Sequence, residues 1–417
     1  MSGSNSKPLL VVGAGISGIS AALEAAETGR DVVLVEREPA VGGRVVRNHH
    51  YFPKLCPPTC GMEINTRRME NNPRLRVMTG TEVVRATKAA DGWSVTLKHA
   101  AQYVNSRCTS CGECAKVCPA KVPNPHNLGM NETTAIRLPF EQAWPNRYVL
   151  DRDACPDGCE ACVKACDYQA IDLGAAPSEE TLEVGALVIA TGWHPYPLEK
   201  LPELGGGELQ DVIANVNMER LVSASGPTGG KILRPSNGEA PKSIAFVQCA
   251  GSRDVNHLPY CSAVCCLASL KQAIYVREQL PDCEVTIYYI DRRAPGRNED
   301  MLTRVAAMEG VHLVKGKVAK IVQADGALSL RVEDVEAGKL IDAPAELVVL
   351  ATGMVPNLRE AEWLEDLQRD EDGFALDDLK RGVVVAGVAR RPEDVAASVR
   401  DATGAAAKAM VAAGRSA

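Results

Sequence analysis

Two cysteine runs in this sequence have the spacing of ligands. The stretch CTSCGECAKVCP sets Cys108, Cys111, Cys114 and Cys118 in the pattern C-x2-C-x2-C-x3-C-P. CPDGCEACVKAC repeats it with Cys155, Cys159, Cys162 and Cys166, one residue longer in its first gap. Three thiolates on one tight loop can hold three corners of an iron–sulfur cubane, and the fourth ligand must come from elsewhere. In two-cluster arrangements the fourth cysteines are exchanged, so Cys166 is expected to complete the first [4Fe–4S] cluster and Cys118 the second. Asp167 replaces the proline that usually follows, and Asp157 or Gly158 lengthens the loop. A structural zinc ribbon also uses thiolates, but seldom four in each half with this rhythm.

Four more thiols crowd QCAGSRDVNHLPYCSAVCC: Cys249, Cys261, Cys265 and Cys266. Cys261 and Cys265 are one helical turn apart and can face together, whereas Cys266 needs a distorted helix start to join them. They are either ligands or small buried apolar side chains. Cys56 and Cys60, in LCPPTCG, stay open between a redox disulfide, cluster ligands and structural thiols. Cys283 reads as core. All fifteen cysteines of the 417 residues lie between Cys56 and Cys283, in local groups, which suits metal or redox chemistry better than a disulfide framework.

What positions these groups is an α/β chain. LLVVGAGISGISAALEAAETGRDVVLVE reads as strand, glycine turn, helix and second strand, with Gly13, Gly15 and Gly18 as G-x-G-x-x-G and Glu36 closing the second strand. The glycines permit the turn, the approach of a pyrophosphate and close helix packing, while the acid accepts hydrogen bonds from a ribose. VGGR, Val41 to Arg44, resembles the Gly-Gly pair of glutathione-reductase-type flavoproteins. LVIATGW and VVLATGM resemble that superfamily's ATG turns, and GVVVAGVARRPEDVAASVRDATGAAAKAM its second flavin segment. The resemblance implies FAD, with contacts from Ser17, Arg37, Gly43, Arg44, Val83, Thr191, Gly192, Gly353, Gly387 and Val388. The acid that usually follows the last glycine is missing, since Val388 stands there.

WSVTLKHA and EETLEVGALVIATG read as two sides of one β-segment, so the residues between them form an inserted ferredoxin-like domain. The expected organisation is a two-dinucleotide-binding-domain flavoprotein of the glutathione/thioredoxin-reductase type. Its flavin domain takes residues 1–103, 174–240 (with the connection) and 336–417, the ferredoxin insertion 104–173, and a nicotinamide-type domain 241–335. That last domain is degenerate: CAGSRD replaces the second glycine loop, so binding of NAD(P)H is not expected there.

Apolar residues at 46%, charged residues at 24% and a net charge of −7 give an ordinary globular composition with no pull towards nucleic acid or anionic lipid. No run approaches the roughly 20 apolar residues of a membrane span, and MSGSNSKPLL is not expected to direct export. His49, His50, His126 and His194 are scattered, so no acid–base residue is assigned.

With these pieces assembled, the chain resembles the A subunit of heterodisulfide reductases, through its flavin core, its ferredoxin insertion and its QC-x-GSRD…YCS-x-VCC run. The resemblance implies an oxidoreductase component with a third, non-standard [4Fe–4S] cluster at Cys249, Cys261, Cys265 and Cys266. With no further domain expected before LLVVGAG or after the C-terminal helix, its form is similar to the QmoA-type flavoproteins of quinone-interacting membrane-bound oxidoreductases in sulfate-reducing bacteria. The partners this implies are a second flavin/iron–sulfur subunit plus a haem-containing membrane subunit. It also implies electron exchange between menaquinol and APS reductase, and a cytoplasmic place at the inner face of the membrane. The alternatives are a soluble heterodisulfide-reductase-type subunit that bifurcates electron pairs, and an NAD(P)H–disulfide oxidoreductase using Cys56 and Cys60.

Overall fold

A computed structural model describes residues 7–324, 326–359 and 361–415. Five short apolar runs form one parallel sheet, in the order Val383–Val385, Ala186–Ile189, Leu9–Val12, Val32–Glu36, Leu75–Thr79. Strands of such near-continuous Val, Leu and Ile are what a sheet covered on both faces requires. One face is covered by the helices Ile16–Glu27 and Val395–Arg415. Their facing residues are small, including Ala22, Ala26, Ala405 and Ala409, so the two backbones approach closely. The other face is covered by a three-stranded antiparallel sheet of Thr81–Ala89, Gly92–His99 and Ser178–Val184. Trp93, fully buried there, donates its indole N–H to the Arg381 carbonyl at 2.9 Å.

The insertion leaves from this small sheet. Gly92–His99 and Ser178–Val184 pair in register from His99 opposite Ser178, and a Val104–Ile171 bridge closes the neck beyond them. Everything between hangs from two adjacent strand ends, so a domain can be inserted without disturbing the sheet.

The second sheet has seven strands, in the order Val212–Ala214, Leu347–Thr352, Ser243–Ala250, Glu284–Tyr289, Val311–Ala324, Ala327–Asp334, Lys339–Ala345. Its extent differs from the expected 241–335. Val212–Ala214 joins its edge, and Lys339–Ala345 and Leu347–Thr352 belong to it as well. The reason is packing: ELVVLAT is apolar on both faces, so it sits centrally between Val212–Ala214 and Ser243–Ala250 rather than in the flavin sheet. The two domains are joined where Trp193–Pro195 pairs antiparallel with Met354–Pro356, just past the two ATG turns. Among the described residues no helix is long and apolar enough to cross a membrane.

Candidate functional site

The dinucleotide turn leaves no room for side chains. Gly13 lies at φ 99°, and a Cβ there would stand 2.6 Å from the Ala190 carbonyl oxygen. A Cβ on Gly18 would stand 1.7 Å from the Gly13 carbonyl oxygen, and one on Gly43 2.8 Å from the Gly15 Cα. Past this turn opens a cleft of about 470 Å³, lined by Gly13, Gly15, Ser17, Glu36, Arg37, Gly43, Arg44, Val83, Thr191, Gly192 and Val388. Glu36 accepts from the Ala14 and Glu38 backbone N–H groups at 2.7 and 3.0 Å, and burial raises its carboxyl above the usual range.

Gly18, Gly353 and Gly387 stand outside this lining. Gly18 serves helix packing. Gly353, although in an ATG turn, follows the end of a strand of the second sheet and faces Leu258, Ser252 and Ser262. Gly387 is in the left-handed region at φ 62°, packed so that a Cβ would meet the Ser17 hydroxyl at 2.0 Å. Its N–H donates to Asp401 at 2.8 Å, and Asp401 also holds Arg390 at 2.8 Å.

The cleft's unmet polar groups fit FAD. Among the described residues, Thr191 Oγ1, Gln272 Oε1 and Glu393 Oε1 are buried along it without a hydrogen-bond partner. Arg44 lies over the Trp193 ring at 4.5 Å, with no carboxylate of the described residues against it. Burial, helped by Arg47, draws its guanidinium down to about 9. An anionic dinucleotide supplies both the missing hydrogen bonds and the missing negative charge. Bound there, FAD would provide a centre that exchanges electrons singly or in pairs.

Several lining residues had no motif. Glu219, Lys271 and Gln272 reach the cleft from the second domain. Lys271 pairs with Glu219 at 2.9 Å, both almost fully buried, and donates to the His50 carbonyl at 2.7 Å. Glu219 also accepts from Gln272 and from the His49 backbone. The one sequence signal was a lone lysine inside the helix Cys265–Gln279, whose middle is buried throughout. Lys271→Met should lower stability by about 3–5 kcal/mol by leaving Glu219 buried and unpaired, whereas the double variant with Glu219→Gln should recover part of that loss. Urea melts of the two variants measure the difference.

In the insertion, Cys108, Cys111, Cys114 and Cys166 line one cavity with Tyr148 and Ile171. The short helices Glu113–Lys116 and Ala161–Lys164 carry Cys114 and Cys162 into a shared core that Cys118 also packs against. Burial pushes the Cys114 thiol up to about 12, with Cys108 and Cys111 adding repulsion. Burial also raises Cys162, with Cys155 and Cys159 beside it. Zinc draws its sulfurs in to about 2.3 Å from one ion. Among the described residues no group of three or more His, Cys, Asp or Glu side chains is arranged to hold a single metal ion. Thiols spaced around a cavity suit a cubane, whose positive core would neutralise thiolates that burial alone disfavours.

The third group falls on a strand end, a turn and a helix start. Ser243–Ala250 bulges after Val247, Cys249 takes φ 56°, and the next helix does not begin until Cys265. The intervening turn is held by the Ser252–Ser262 hydroxyl pair at 2.9 Å and a Ser252–Leu258 bridge. Ala263, just before the helix, takes φ 62°; the Cys265 thiol donates to the Thr352 carbonyl at 3.8 Å and the Cys266 thiol to the Asp291 carbonyl at 3.4 Å. Burial pushes Cys249 up to about 11, helped by Cys266 and Cys261, and raises Cys265 well above its usual range. These thiols occupy the turn where a nicotinamide pyrophosphate would need a glycine cradle.

Cys56 and Cys60 are exposed and form no disulfide, and Cys283 is buried in the second domain's core. The histidines do not form one site. His49 and His50 have ring centres 3.8 Å apart, and burial draws His49 down to about 4. His126 stacks on Phe140, and His194 bonds Asn357 at 2.9 Å.

Fold and site together define an iron–sulfur flavoprotein. Residues 8–53 match the FAD dependent oxidoreductase family and residues 107–171 the 4Fe-4S dicluster domain family. Its cofactors are FAD and [4Fe–4S] clusters. Over nearly its whole length the chain is similar to the A subunits of heterodisulfide reductases. It is 36% identical over 96% of its length to the A subunit of the H2:CoB-CoM heterodisulfide, ferredoxin reductase of Methanothermobacter marburgensis. It is 37% identical over 97% to the second form of the iron-sulfur A subunit of the CoB–CoM heterodisulfide reductase of Methanopyrus kandleri. The chain spans 63% and 64% of those proteins' lengths. Among solved structures, the thioredoxin reductase of Lactococcus lactis has the same fold, with a TM-score of 0.54 at 14% identity over 98% of this chain and 99% of that one. The bacillithiol disulfide reductase of Bacillus cereus gives 0.53 at 13%, covering 98% and 99%.

Proposed function

We propose that the chain is the flavin- and cluster-bearing electron-transfer component of a larger oxidoreductase complex of the heterodisulfide-reductase type. One observation carries the reading: Val264 lines the flavin cleft, and Cys265 beside it begins the helix that bears two of the third group's four cysteines, Cys265 and Cys266. Clusters move electrons singly and a flavin can pair them, so adjacency of the two is what such a component needs. In this reading the Cys108 and Cys155 motifs form the outer wire and the Cys249 group the inner step. The wire ends in partner subunits that hold the disulfide or ferredoxin chemistry. Pairing and splitting of electrons at the flavin belongs to the same proposal.

The relatives' names support the heterodisulfide type over the quinone-linked one. A haem-containing membrane subunit or APS reductase purifying with the native complex would return the latter. An NAD(P)H–disulfide oxidoreductase has the least support, because cysteines fill the second nucleotide turn, and NADH bleaching of the flavin would revive it. The deciding measurement is iron and acid-labile sulfide per FAD in the purified holoprotein. About twelve iron atoms support three clusters, and about eight would remove the one at Cys249.

A further inference from the structure

Two arginines converge on the third cysteine group. Arg253 stands in the left-handed region at φ 57°, with its backbone N–H held by the Tyr260 carbonyl at 3.0 Å. It pairs with the Asp291 carboxylate at 3.5 Å, from the turn whose Ser252 N–H donates to the Cys249 carbonyl at 3.1 Å. Arg293 lies just beyond the strand Glu284–Tyr289. Its Nε donates to the same Asp291 oxygen at 3.1 Å. Arg293 lines one small cavity with Cys266 and Asp291, and the Cys266 thiol donates to the Asp291 carbonyl at 3.4 Å. Asp291 thus pins two guanidinium groups against the thiols, and two cations against one carboxylate leave one positive charge in excess.

The insertion offers its groups less. Arg147 faces Cys108, and Lys116 faces Cys111 but is tied to Glu113 at 2.6 Å. Near Cys162, Lys164 pairs with Glu160 at 3.7 Å. Reduction adds one negative charge to a cluster, so neighbouring positive charge and N–H···S bonds stabilise the reduced form and raise its potential.

We propose that Arg253 and Arg293, pinned by Asp291, hold a cluster at Cys249, Cys261, Cys265 and Cys266 at a higher reduction potential than the two clusters of the insertion. Electrons then collect beside the flavin cleft. Each transfer oxidises a reduced cluster of the insertion and reduces this one by a single electron, with no bond made and no proton moved. The inference rests on the reading of the Cys249 group as a cluster.

The test is an EPR-monitored redox titration of the full-length holoprotein and of Arg253→Gln, Arg293→Gln, the double variant and Arg253→Lys. One midpoint, initially the highest of three, should shift negative in each glutamine variant and furthest in the double. The other two should stay, and Arg253→Lys should restore most of its shift. Iron should remain at about twelve atoms per chain. Unchanged midpoints at that iron content would overturn the inference alone, as would finding the movable cluster anywhere but highest in the unaltered protein. About eight iron atoms in the unaltered chain would instead overturn the cluster reading beneath it. If the double variant fails to load, Arg293→Gln decides, because that side chain is 51% exposed and its loss leaves the core intact.

Discussion

Cys166→Ser is expected to abolish the first cluster and spare the second, although Cys166 belongs to the second motif. Cys166 lines the cavity of Cys108, Cys111 and Cys114, where it accepts from the Ala170 N–H at 3.4 Å. The variant should lose about four iron atoms per chain and one EPR signal. Pairing it with a second substitution makes the assignment sharp. Cys111→Ser added to Cys166→Ser should cost no further iron, because both strike one cluster, whereas Cys159→Ser added to it should cost about four more. By the same exchange Cys118→Ser should remove the second cluster. An additive loss from Cys111→Ser with Cys166→Ser would show that each motif closes on itself.

Gly18→Ala should strip the protein of its flavin. The added Cβ would meet the Gly13 carbonyl oxygen at 1.7 Å, and neither backbone can yield without opening the turn that must face the pyrophosphate. Overpacking of this kind costs about 1–3 kcal/mol or more. About 1.4 kcal/mol is a tenfold loss of affinity, so a penalty of this order should raise the flavin dissociation constant about tenfold, and flavin absorbance per chain after gel filtration at low protein concentration should fall with it. Gly61→Ala is the control: nothing lies within 4 Å of its Cβ position, and it sits inside the helix Pro58–Glu70. There alanine should keep the flavin and stabilise the helix by up to about 1 kcal/mol. Full flavin content in Gly18→Ala would mean that the cleft holds its ligand some other way.

The two ATG turns show where the chain misleads in one dimension. LVIATGW and VVLATGM look alike, and both are expected at the flavin. Thr191 and Gly192 do line the cleft, but Gly353 closes a strand of the other sheet and packs under the cysteine loop. The difference lies in which strands pair, and Leu347–Thr352 pairs with Ser243–Ala250, far away in the chain. Lys271 and Glu219 were hidden for the same reason, since each is unremarkable until a second element supplies the other as its partner.

The sequence by itself determined the local chemistry: the dinucleotide turn, the two cysteine motifs and the strands bracketing the insertion. Each of these is written in residues a few positions apart, and there spacing is geometry. Only the tertiary structure decided what crosses between segments. It brought Arg293 and Asp291 beside Cys266, and Val264 to the edge of both flavin cleft and thiols. Those placements depend on how two sheets are covered and joined, because burial of apolar faces is non-directional and leaves no fixed interval in the chain.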